Sequence, residues 1–112
     1  MDIKINKPPR LFSVGFNKEI KISDCGQIKL QSNEQVTFIE DEKEYDVAKK
    51  DWGFYATPSI NGRLKSFGYK TALVMNSVGK YYVMIVDKEK MEKFNKYIIS
   101  EKSSVVQWLD EK

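Results

Sequence analysis

The sequence predicts a mainly β, α+β fold: an antiparallel meander forming a small sandwich or barrel, with one C-terminal amphipathic helix packed on the last hairpin. Three observations predict it. Turn-forming residues recur roughly every eight to ten positions through the first half of the chain. The apolar residues between them alternate with period two, as they do on a half-buried strand. Near the C-terminus the spacing changes to that of a helix, with Met91, Phe94 and Ile98 on one stripe.

The elements follow in order. Pro8-Pro9 marks residues 1–9 as an extended N-terminal arm, because proline and the residue before it disfavour helix. Residues 11–16 read as a strand, with a turn at Asn17-Lys18. Residues 19–23 and 27–31 alternate on either side of Asp24-Cys25-Gly26, which has turn chemistry. After Ser32-Asn33-Glu34 come strands at 36–39 and 44–48, separated by the acidic turn Glu40-Asp41-Glu42. Residues 52–57 form a further strand, which places Trp52, Phe54 and Ala56 on one face and Gly53, Tyr55 and Thr57 on the other. Trp52 and Phe54 are therefore expected in the core. Residues 69–75 and 81–86 make a hairpin, and the second arm, YYVMIV, is apolar on both faces, as expected of a strand covered on each side. Asp87 is a suitable N-cap for a helix over residues 88–101. The apolar run Val105-Val106-Gln107-Trp108-Leu109 then returns to the sheet or docks on another subunit.

The length of 112 residues fits one domain, read as residues 10–112 behind the arm. The chain has no histidine, which excludes Ser-His-Asp and Cys-His nucleophiles and imidazole-based zinc sites. Its single cysteine, Cys25, sits beside Asp24, whose charge opposes a reactive thiolate. The carboxylate run at residues 40–44 matches no calcium loop spacing and reads as a solvated turn. No metal site and no cofactor are expected. The start of the chain lacks the apolar core of a secretory signal, and no stretch approaches the ~20 apolar residues that span a bilayer. The expected location is cytoplasmic, with no membrane partner.

The net charge is +3, from 19 basic and 16 acidic residues, too balanced to argue for nucleic acid by itself. Only Arg10 and Arg63 among those 19 are arginine. In a lysine-rich chain a retained arginine draws attention to its planar, bidentate guanidinium. Arg63 lies in PSINGR, just after the aromatic-rich DWGFYATP. Asn61-Gly62 is a strong turn signal, and turn amides can converge on an anion. Ser59 and Asn61 would add side-chain donors, Arg63 a charged fork, and Tyr55 an aromatic surface for a sugar or base. The motif matches neither a Walker loop nor a dinucleotide fingerprint.

These features point to a small non-catalytic ligand-binding or accessory domain that self-associates. Its candidate ligand-binding residues are Tyr55, Ser59, Asn61 and Arg63, and its ligand an anionic small molecule or sugar phosphate. Self-association, or a protein partner, follows from apolar surplus near the C-terminus, chiefly Trp108 and Leu109. One alternative is a single-stranded nucleic-acid-binding small barrel using Lys65, Tyr69 and Tyr81. Another is a histidine-free enzyme whose acid–base groups are Tyr, Asp or Lys, with Asp51 and Tyr55 nearest the proposed anion site.

Overall fold

Hydrogen-bonded hairpins between near neighbours in sequence account for most of the structure, a computed structural model that describes residues 1–111. The fold is mainly β, its strands pair antiparallel, and its one long helix is C-terminal. None of its three sheets closes into a barrel. The chain divides into two compact units, Met1–Thr57 and Pro58–Lys112.

The first unit holds two sheets. In one, β1 (Asp2–Val14) pairs with β2 (Ile20–Lys29). Residues 1–9 are thus extended, as the prolines require, and most of them belong to a paired strand. The register slips between Ile5 and Arg10, where Pro8 and Pro9 lack the N–H groups that a ladder needs. The Asn6 side-chain amide donates instead to the Asp24 carbonyl at 3.0 Å. The expected turn at Asp24-Cys25-Gly26 is absent, and these residues lie inside β2. Gly26 serves a different purpose there. A Cβ on it would come within 2.7 Å of the Lys4 carbonyl oxygen, so a side chain would prise the two strands apart.

The other sheet is β3 (Gln35–Glu40), β4 (Lys43–Lys50) and β5 (Gly53–Ala56), in that order. Two tight turns connect them. Glu40 pairs with Lys43 across Asp41-Glu42, with Asp41 at φ 53°, and Lys50 pairs with Gly53 across Asp51-Trp52. Residues of both sheets line one apolar hollow of about 290 Å³, among them Ile28, Val36, Phe38, Val47 and Phe54.

The second unit is better packed. Its sheet has the order β7-β6-β8, with β6 (Tyr69–Met75) central, β7 (Tyr81–Asp87) on one edge and β8 (Ser104–Trp108) on the other. A short helix α1 (Arg63–Ser66) precedes β6 and buries Leu64. Asp87 caps a single 3-10 turn, accepting a hydrogen bond from the Glu89 amide at 3.0 Å, and α2 (Met91–Ser100) continues from it. Ile98 of α2 packs on Ala72 and Val74 of the central strand, with Phe94, Met84, Val105 and Trp108 around them. Phe94 meets Trp108 edge-on at 5.8 Å. The helix therefore packs on the sheet as its apolar stripe predicts, and the run 105–109 returns to that sheet as β8.

Two expectations about this unit and its neighbour need correction. The YYVMIV strand is an edge, with Tyr81, Tyr82 and Val83 exposed, because β8 takes the other side of β6. Trp52 and Phe54 are also exposed rather than core. Trp52 occupies a hairpin turn outside β5, and β5 is a four-residue strand at a sheet edge.

Candidate functional site

The hairpin turn between β4 and β5 shapes the most distinctive surface of the first unit. Asp51 and Trp52 are its two loop residues, and Gly53 follows at φ +144°, a backbone conformation that L side chains rarely adopt. This geometry carries Trp52 out of the strand, so the alternation predicted for residues 52–57 does not extend to it. The Trp52 ring instead stacks on Tyr55, with centroids 5.9 Å apart and planes 28° from parallel. Trp52 is 71% exposed and Tyr55 46%. A stacked pair of this kind holds itself in place by about 0.5–1.5 kcal/mol while its outer surface stays in water. On the same short strand Phe54 faces the apolar hollow and lies under the Lys49 ammonium, 5.3 Å from its ring centre.

Ser59, Asn61 and Arg63 lie in the second unit, the first two on the turn that leads into α1 and Arg63 as its first residue, and all three are exposed. Tyr55 lies in the first. The four predicted ligand-binding residues are thus divided between units, three of them close in sequence at the start of the second. The local hydrogen bonding of that turn is directed inward. The Ser59 carbonyl accepts from the Gly62 amide at 3.2 Å and from the Leu64 amide at 3.1 Å. Those two N–H groups converge on the protein's own oxygen, which leaves them engaged rather than aimed at an outside anion. A Cβ on Gly62 would fall on Ser59 Oγ, so the Ser59 hydroxyl would have to rotate away.

Two carboxylates outside these segments, Asp24 and Asp110, form structural pairs. Arg10, the second arginine, binds Asp24 across the β1–β2 hairpin through Nε at 3.1 Å and through Nη2, and its guanidinium lies 5.6 Å from the Phe12 ring centre. The hydrogen bond from Arg10 and that from the Gly26 amide hold the Asp24 carboxyl below its usual range. In the second unit Asp110 is buried. Burial pushes its carboxyl up, but the Thr71 amide at 2.9 Å and the Lys70 ammonium at 3.0 Å outweigh this and hold it below its ordinary value. Lys70 is raised in turn, first by its hydrogen bond to Asp110 and then by that to Glu111. Its ammonium also lies over the Trp108 ring at 4.9 Å. Asp51 sits on the exposed loop with Trp52. Among the described residues no group of three acidic or cysteine side chains is placed to hold a metal ion. Cys25 is exposed and unbridged.

Sequence reasoning missed Trp52. The signal was available: Asp51-Trp52 stands between a strand-forming segment and a glycine, which is hairpin-loop spacing. No protein-family model, no curated protein and no solved structure matches this chain. No helix among the described residues is long and apolar enough to cross a membrane.

Proposed function

We propose that the chain is a small non-catalytic accessory module that self-associates and binds a sugar- or base-containing ligand through the Trp52–Tyr55 pair. The observation that carries the ligand reading is the stacked, solvent-facing geometry of those two rings. A flat apolar face presented with fixed orientation suits the ring of a sugar or a base, because little side-chain freedom is lost on binding. The segment bearing Ser59, Asn61 and Arg63, in the second unit, is a separate candidate site for an anion. It depends on side chains, since two of its amides serve the Ser59 carbonyl.

A thermal-shift panel of nucleotide sugars, sugar phosphates, small carboxylates, nucleotides and a short single-stranded RNA tests the reading. A ligand at a hundred times its Kd adds about 2.7 kcal/mol of stability. The expected result is a hit that disappears in Trp52→Ala and weakens in Tyr55→Ala. A panel without a hit, or a hit indifferent to both substitutions, overturns the ligand reading. The RNA arm addresses the second reading, single-stranded nucleic acid, which the exposed rings beside Lys49 and Lys50 favour. RNA binding there would fall steeply with salt.

A further inference from the structure

Sheet edges are ordinarily guarded against pairing with another chain by charge, proline, irregularity or short length. β1 follows that rule, with Pro8, Pro9, Lys4, Lys7 and Arg10 along it. So does β8, which has five residues and a register irregularity opposite Leu73 and Val74. β7, the other edge of the same sheet, does not. Its residues pair with β6 in unbroken register from Tyr69↔Asp87 to Met75↔Tyr81, and from Tyr81 to Val86 they include no charge and no proline. The half that follows the hairpin turn is open to solvent: Tyr81 is 61% exposed, Tyr82 49% and Val83 61%.

We infer that β7 is the seam at which two copies of this chain pair, antiparallel about Val83, to give one six-stranded sheet of order β8-β6-β7-β7-β6-β8. The inference rests on the self-association reading above and gives it a location. The strand is self-complementary in that register. Val83 meets Val83 of the partner subunit, Tyr81 meets Ile85 of the partner subunit, and Tyr82 meets Met84 of the partner subunit. Aromatic and β-branched pairs of this kind are favourable across strands, and no like charges are opposed. The outward backbone N–H and C=O groups of each copy find partners in the other.

The area sets the strength. The exposed parts of Tyr81, Tyr82 and Val83 amount to about 200–300 Å² of side chain per copy, taking ~200 Å² for a whole aromatic. Even with the backbone between them this is below the ~800 Å² per partner of a standard interface. The dimer is therefore expected to be weak and reversible.

The test is light scattering on the full chain after size exclusion, from low micromolar to near-millimolar loading. Val83→Lys puts two ammonium groups opposite each other on the two-fold axis, and Val106→Lys puts the same charge on β8. The expected result is a concentration-dependent dimer that Val83→Lys weakens at least about tenfold, by like-charge opposition in the seam, and that Val106→Lys leaves unchanged. A dimer that survives Val83→Lys overturns the seam and leaves self-association standing. A wild-type monomer at every concentration overturns both. If Val83→Lys fails to fold, amide hydrogen exchange on the wild type decides. Protection of residues 81–85 that rises with concentration supports the seam, and protection that does not change overturns it.

Discussion

Asp110 completes a hydrogen-bond ladder that its own strand leaves unfinished. β8 ends at Trp108, opposite Ala72, so the next amide along the central strand, that of Thr71, has no strand partner on that side. Thr71 is fully buried, and an orphaned amide there is costly. The chain turns back after Trp108 and the Asp110 carboxylate accepts that N–H at 2.9 Å, while its other oxygen takes the Lys70 ammonium at 3.0 Å. Asp110→Ala leaves the Thr71 N–H unsatisfied, worth about 1–3 kcal/mol, and removes one of two partners of Lys70. Lys70 is partly exposed and keeps Glu111, so the ion pair is discounted to about 0.5–1 kcal/mol. The total is about 3 kcal/mol, or roughly 12 °C in Tm for a chain this size. Asp110→Asn keeps an oxygen for the Thr71 amide and loses only charge, costing about 1 kcal/mol. Urea and thermal unfolding of the three proteins at neutral pH measure the differences. A loss under about 1 kcal/mol in Asp110→Ala would refute the ladder argument.

The same carboxylate predicts a pH dependence. Its folded pKa lies below the ordinary 3.8, so its contribution is complete above about pH 4 and is lost as pH falls through the folded value. The stability gap between wild type and Asp110→Asn should then narrow under acid; a gap that widens contradicts the assignment. Ile98→Ala opens a cavity over Ala72 and Val74 and should cost about 2–4 kcal/mol by urea unfolding. Asp87→Ala removes the side-chain acceptor for the Glu89 amide and should cost about 1 kcal/mol by urea unfolding, with faster amide hydrogen exchange in the first turns after β7. Trp52→Ala, at an exposed turn, should change stability by less than about 0.5–1.5 kcal/mol, the worth of its contact with Tyr55, whatever it does to binding.

What the sequence revealed and what it hid divide along physical lines. The β6–β7 hairpin, the Asp87 cap and the apolar stripe of α2 were legible because each is set by local chemistry: alternation, a turn, a side-chain acceptor. The return of β8 was legible as apolar surplus, though its choice of β6 as partner is non-local. Gly26 misled because a glycine needed for close approach of two backbones looks the same in sequence as one needed for a turn. YYVMIV misled because a strand apolar on both faces can be a covered centre or an unguarded edge, and only the sheet order distinguishes them. The alternation placed Tyr55 on a strand, as it is in β5, but extending it one residue too far put the loop residue Trp52 in that strand. The link between Tyr55 and the Ser59–Arg63 turn rested on sequence proximity, and the boundary after Thr57 falls between them.

The measurement that bears most directly on the proposed binding surface is an amide and indole NMR spectrum of the full chain, titrated with the same ligand panel. The two tryptophans give two indole signals, assigned by Trp52→Phe. One reports the exposed pair with Tyr55 and the other the Phe94–Trp108 contact in the core. The account predicts that a sugar- or base-containing ligand moves the Trp52 indole and the amides of residues 53–56 and leaves the Trp108 indole in place. An unmoved Trp52 indole across the whole panel, or shifts centred on the Trp108 contact, would contradict it.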